Sequence, residues 1–419
     1  MNTTVERVER HPVEVPFREV PARNMARELP HWRFLEVCEV ELASGHVGMG
    51  ETLSYYTWGE TTDADVERAL GADATGLLWD DSLGAGLQIA LFDAVGRALD
   101  APIHELLGSK VRDRAPVSWW CIDMPPEDWA AEAERALEAG YTSLKVKGRP
   151  WFDLREQLAA LEGTLPRSFD VDVDFNGTLR DAERARGVLE DVLAVPQVSH
   201  VEGPIPQEDV AGNRELAAAL DVPVALHYGR PEPMTQLEEA MCDGFVVSGG
   251  ASEVRDAAAV CGTAGTPFWL QLVGTGITAA FSLHCGGVFE GATWPAVNCH
   301  QLYEDDLLAD SIEVEDGTAP VPDGPGLGHA VDRDALEAYR VEKPEERPNP
   351  PRLVECDWPD GPTLYLAEGE VNFVLDYARE GGMPFFERGV TTRLIPDDGS
   401  EAWARLHEAA PVEADEPRL

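Results

Sequence analysis

Residues 143–174 read SLKVKGRPWFDLREQLAALEGTLPRSFDVDVD, and they carry the chain from one strand end, Lys147, to the next, Asp174. The same step recurs. Short apolar strands end near Asp123, Lys147, Asp174, Glu202, Tyr228, Val247, Leu272 and Ala296, at intervals of 19 to 28 residues. Amphipathic helices are legible between them at Pro126–Ala139, Arg180–Leu193 and Asn213–Leu220, each followed by Gly or Pro. Eight strand–helix steps predict an α/β fold with a (β/α)8-type barrel, a modified TIM barrel. A doubly wound sheet or two stacked smaller domains are the alternatives. Neither places so many polar groups at successive strand ends.

Outward from this block the texture changes. Residues 1–115 read as an α+β domain, with a strand over Trp32–Leu42 and a helix over Leu83–Leu99. Residues 116–315 hold the barrel. Residues 316–342 carry the turn-rich Asp323–Gly328 and a short helix over Asp332–Tyr339, returning the chain to the first domain. A Pro/Glu/Arg-rich linker, Lys343–Pro351, then leads into an appended α+β extension over 343–419.

The chain has 33 Lys and Arg against 77 Asp and Glu, a formal charge of −44. The acids are spread throughout. That pattern resembles proteins of a high-salt cytoplasm, where dense surface carboxylates maintain solubility. It argues against nucleic acid or an anionic membrane as partner. Seven scattered cysteines without a CxxC pair fit a reducing compartment, so a cytoplasmic location is expected. The start of the chain is polar and charged, and no apolar run approaches the ~18–20 residues that span a bilayer.

Only four lysines occur, and two of them form Lys145-Val146-Lys147. Alternation along a strand aims both to one face. Lysine, unlike arginine, can surrender its proton when burial or a neighbour lowers its pKa. At a barrel's catalytic mouth, where strand ends converge, Asp174 and Asn176 follow on the next strand and Glu202 on the one after. Asp170, Asp172 and Asp174 share a face, which is costly inside a barrel unless they are paired or bind cations. Two carboxylates and an amide suit Mg²⁺. A metal beside lysine bases suits proton abstraction α to a carboxylate.

These motifs resemble those of the enolase superfamily, in its mandelate racemase/muconate lactonizing branch. The likeness runs from about Val5 to Val341. Gly48-Met49-Gly50-Glu51 is similar to the family's capping-domain turn. Asp93–Arg97 with Pro102-Ile103 and Leu106–Gly108 resembles its signature near the first barrel element. Lys145-Val146-Lys147, Asp174-x-Asn176, Glu202-x-Pro204, Gly249-Gly250 and Gly324–Gly328 follow in the family's order. The resemblance implies that the N-terminal domain is a capping domain. It also implies that Lys147 is the base, Lys145 its pKa-lowering partner, and Asp174 and Glu202 are Mg²⁺ ligands. It further implies a small carboxylate substrate and an even homo-oligomer.

Two positions depart from the pattern. The third metal ligand, a carboxylate at the fifth strand end, falls on Tyr228 without gaps, with His227 before it. Neutral tyrosine is a poor Mg²⁺ ligand and histidine prefers softer metals. The second acid/base is also missing. No lysine ends the sixth strand, Asp243 lies near the position of a paired Asp, and its histidine partner's place is taken by Gln271. Asn298 and His300 would share a face at the eighth strand, making His300 the candidate acid, with Asn176, Gln271 and Asn298 as substrate contacts. With one recognisable base, dehydration or epimerisation of a hydroxy acid or acid sugar is the expected reaction. The other readings are a barrel retained for binding or assembly and a reaction using His227 with a transition metal.

Overall fold

The computed structural model describes residues 2–369 and 371–414; Met1, Glu370 and 415–419 lie outside the described residues. The N-terminal sheet is an antiparallel meander of β1 (Val5–Glu14), β2 (Phe34–Leu42) and β3 (Val47–Leu53). The helix Ala85–Leu99 packs on it with nearly every residue buried. Gly50 makes that approach possible, since a Cβ there would sit 2.3 Å from the Gly86 carbonyl and 2.4 Å from the Ala90 nitrogen. The strand expected from Trp32 begins at Phe34, because Pro30–Arg33 form a 3₁₀ turn first.

The barrel strands are β4 (Arg114–Trp120), β5 (Ser143–Lys147), β6 (Asp170–Asp174), β7 (Val198–Glu202), β8 (Val224–His227), β9 (Gly244–Val247), β10 (Phe268–Leu270) and β11 (Ala296–Val297). They pair in parallel in the order β10-β9-β8-β7-β6-β5-β4-β11, with β10 beside β11 at the seam. Parallel neighbours require crossovers, and helices supply them. Asp153, Asp181 and Asp209 each cap a crossover helix by accepting backbone N–H groups at its start. Leu154, Gln157, Leu158 and Leu161 of the first of these helices face inward at helical spacing. The fold is the modified TIM barrel with an N-terminal cap and a C-terminal extension. A short β12 (Thr318–Pro320) pairs antiparallel with β4.

Buried carboxylates tie cap to barrel. Glu51 accepts the backbone N–H groups of Thr275 and Thr278 at 2.7 and 2.8 Å. Asp93 accepts from Met49 N and Leu327 N, both at 2.8 Å, and from Arg97 Nε at 2.9 Å. Three sequence motifs far apart in the chain therefore meet on one side chain.

The extension is a four-stranded antiparallel sheet, ordered β15 (Thr391–Ile395), β13 (Leu353–Asp357), β14 (Thr363–Ala367), β16 (Val412–Ala414). Its core is not self-contained. Trp151 and Phe152, from the loop after β5, are buried among Val354, Cys356, Trp358 and Leu364 of the extension, beside Val374 and Leu375 of its helix Phe373–Arg379. Among the described residues no helix is long and apolar enough to cross a membrane. Truncating the fully buried Trp151 to Ala should lower stability by about 3–5 kcal/mol in urea titrations run in concentrated KCl. The extension should then become the first target of limited proteolysis. An unchanged unfolding midpoint would show that other contacts hold it.

Candidate functional site

Register alone places the charges in adjacent rungs. Lys145 lies opposite Asp172, Lys147 opposite Asp174, and Asp174 opposite Glu202. Lys145 is 1% exposed, and its Nζ donates to Glu202 Oε2 and, at 3.0 Å, to Gln271 Oε1. Lys147 is 14% exposed, and its Nζ donates to Asp174 Oδ2 at 2.5 Å and Asn176 Oδ1 at 3.3 Å. Each lysine also lies over an indole, Lys145 over Trp269 and Lys147 over Trp120.

The two lysines diverge. Burial pushes both down, but Glu202 and Asp174 more than restore Lys145, whose pKa is raised. At Lys147 burial prevails over Asp174, and the Lys145 charge adds to it, so its pKa falls below 10.5. Burial alone would raise Asp174, but Lys147, Lys145 and Arg149 hold it well below the carboxylate range. Asp172, one rung deeper, is raised by burial and by the Glu202 charge.

Lys147 opens into a cavity of about 160 Å³ at the mouth. Arg149, Asn176, His227 and Gln271 line it from the barrel, and Glu28, Trp32 and Tyr56 from the cap. Trp32 stacks on Trp120 at 5.8 Å and meets Tyr56 at 4.4 Å, making an apolar wall. Burial and the nearby Asp123 charge push the Glu28 carboxyl up to about 7. The helix Phe373–Arg379 of the extension forms the remaining side.

The structure corrects several readings. The residue at the end of β8 that faces Glu202 is His227, whose Nε2 lies 3.3 Å from Glu202 Oε1; Tyr228 packs edge-on against Phe245 and lines an adjoining cavity. Pleating decides this, because His227 shares the inward face of Ala225 while Tyr228 falls on the other. His300 is not at the cavity: Cys299 adopts φ +61°, which breaks strand alternation, and His300 Nε2 meets Tyr141 Oη at 3.3 Å. Cys299 takes the cavity position instead. Asn298 is buried and donates to the Leu272 carbonyl at 2.9 Å. Asp243 accepts from Val224 N at the opposite end of the barrel.

The donor set does not fit Mg²⁺. Asp174 Oδ2 is held by Lys147 and Oδ1 by Asn176 N at 2.8 Å. Glu202 Oε2 is held by Lys145, which leaves the buried, unpartnered Oε1 facing an imidazole. Mg²⁺ requires a near-octahedral oxygen shell. Among the described residues no three His, Cys, Asp or Glu side chains are gathered to hold a metal ion.

Arg149 extends the alternation of Lys145 and Lys147, so the strand pattern could have flagged it. Glu28 and Arg379 carry no such signal, since tertiary packing alone brings them to the mouth.

Residues 128–335 match the family described as enolase C-terminal domain-like. The chain is 26% identical to muconate cycloisomerase 1-2 of Acinetobacter lwoffii over 386 residues, covering 80% of this chain and 95% of the relative. D-galactonate dehydratase of Variovorax paradoxus is 30% identical over 246 residues, covering 51% and 63%. A Thermobispora bispora enolase crystallised with magnesium and formate superposes with a TM-score of 0.66 at 23% identity, covering 80% of this chain and 92% of that one.

Calorimetric titration of this chain with Mg²⁺ in concentrated KCl should give no saturable, stoichiometric heat. Saturable binding lost in Asp174→Ala would overturn the misfit. Lys145→Met and Glu202→Gln should each cost about 3–5 kcal/mol, as expected for breaking a buried ion pair. The double variant should recover much of that loss in a denaturation cycle.

Proposed function

Because this chain belongs to the enolase superfamily, in its mandelate racemase/muconate lactonizing branch, we propose that it is an enzyme that removes a proton α to the carboxylate of a small hydroxy acid or acid sugar, with Lys147 as the base. The observation that carries this is placement: of the paired lysines, only Lys147 opens into the cavity, with its Nζ oriented by Asp174 and Asn176. Lys145 stays behind it as a fixed positive charge on Glu202. A lysine held below its ordinary pKa is more often neutral and able to accept a proton.

Dehydration fits the remaining groups better than racemisation. Racemisation needs a second proton carrier on the opposite face of the α-carbon, and two of the groups lining the cavity, Gln271 and Cys299, cannot act as one. Glutamine cannot shuttle protons, and burial pushes the Cys299 thiol up to about 12. In dehydration, the α-proton goes to Lys147 and the electron pair forms an enediolate. The β-hydroxyl then leaves as water with a proton from an acid. Glu28 lines the same cavity and holds a proton near neutral pH. The enol so formed tautomerises to a 2-keto acid.

The test is loss of the α-hydrogen NMR signal of hydroxy acids and acid sugars in D2O. Lys147→Ala should slow exchange by about 10²–10⁴-fold. The rate should rise with pH as Lys147 deprotonates, with its acid limb below 10.5. Glu28→Gln should depress dehydration more than exchange. Wild-type protein that exchanges none of these acids would leave the binding reading in its place.

A further inference from the structure

The cavity holds an unbalanced charge. Arg149 is 4% exposed, yet its guanidinium has no carboxylate within ion-pair distance among the described residues. Its Nη1 donates to the carbonyls of Gly148 and Asp174 at 3.2 and 3.1 Å, and its Nη2 to Asn176 Oδ1 at 2.5 Å. Its Nε is buried without a partner. Burying a cation without a counter-charge is costly, so the site is short of an anion.

A second guanidinium stands on the other side of Asn176. Arg379, at the end of the extension's helix Phe373–Arg379, donates from Nε to the Asn176 carbonyl at 2.6 Å and from Nη1 to Asp376 at 3.2 Å. It lines the Lys147 cavity and also the adjoining one, whose walls include Asp174, Glu202 and Arg230. Arg379 has Asp376 as its partner, so the charge left without an ion-pair carboxylate is that of Arg149. Asp174 and Glu202 are held by lysines, Asp123 by Arg27, and burial pushes the Glu28 carboxyl up to about 7, which weakens it as a counter-charge. Three cations gathered in one cavity run against a chain of net charge −44.

The extension is placed to do this work. Its core closes around Trp151 and Phe152, four and five residues beyond Lys147. Gly389 N donates to Asp153 Oδ2 at 2.7 Å, and Phe386 packs on Phe175, next to Asp174. Glu28 of the cap accepts from Val374 N and Leu375 N at 3.1 and 3.2 Å. The helix is therefore clamped between cap and barrel, over the mouth.

We propose that the C-terminal extension is a second cap, and that its Arg379 acts with Arg149 to bind a second anionic group of the substrate, a carboxylate or a phosphate. The inference rests on the α-proton reading only for the first carboxylate; the anion site itself is read by binding. A fork of N–H donors suits either oxyanion.

The experiment measures calorimetric affinities of the full chain in concentrated KCl for malate against lactate and for 3-phosphoglycerate against glycerate. Within each pair the probes differ by the second anion. Wild type should favour the dianion of at least one pair by about ten-fold or more, consistent with a charged hydrogen-bond pair. Arg379→Gln, a change at a solvent-exposed tip, should erase that preference and leave lactate or glycerate within about two-fold. Arg379→Lys should restore part of it. A preference confined to malate assigns a carboxylate, and one confined to 3-phosphoglycerate a phosphate; both support the site. Equal affinities within both pairs in wild type, or a preference untouched by Arg379→Gln, would overturn it. Lys147→Ala should keep the preference while losing α-proton exchange. A wild type with the preference but no exchange would sink the reaction reading and leave the anion site standing.

Discussion

The crossed ion pairs at the barrel mouth, Lys145 with Glu202 and Lys147 with Asp174, are the constraint on which the rest depends. Four buried charges on three neighbouring strands are tolerable only as a set, because each alone would be stranded in a low-dielectric interior. The set fixes which lysine is buried and which meets the cavity. It uses two of the four carboxylate oxygens, and the Asn176 N–H holds a third, so only Glu202 Oε1, facing His227, is left, which is no shell for a hard cation.

The second organising feature is the loop that follows β5. A barrel enzyme ordinarily gains its specificity from loops at the strand ends. Here that loop carries Trp151 and Phe152 into the core of another sheet, so the segment nearest Lys147 is also the anchor of the extension. Local packing and the chemistry of the site are thereby coupled. The N-terminal cap contributes an aromatic wall from Trp32 and Tyr56 and the carboxyl of Glu28, while the extension contributes Arg379. The mouth is thus enclosed from two sides by domains that touch through Glu28.

Much of the fold was legible because strand and helix periods are local. The recurrence of apolar strands and capped helices identified the barrel, and strands ending at Lys147, Asp174, Glu202 and Val247 stand where the pattern put them. The reading failed where one residue upset alternation. The left-handed Cys299 rotated His300 behind the barrel, and an ungapped count put Tyr228 where the pleat puts His227. Asp243 lay near the position of a paired Asp by its neighbourhood in sequence, but it precedes its strand rather than ending it.

What the sequence determined by itself is the barrel, its inward faces and the lysine pair, since each follows from periodicities of two and 3.6 residues acting within one element. Only the tertiary structure decided which groups share the cavity. Glu28, Lys147 and Arg379 are separated by more than a hundred residues at each step, and no local pattern relates them. They converge because hydrophobic burial of Trp151 and Phe152, together with hydrogen bonding at Glu28, brings cap, barrel and extension together over one mouth.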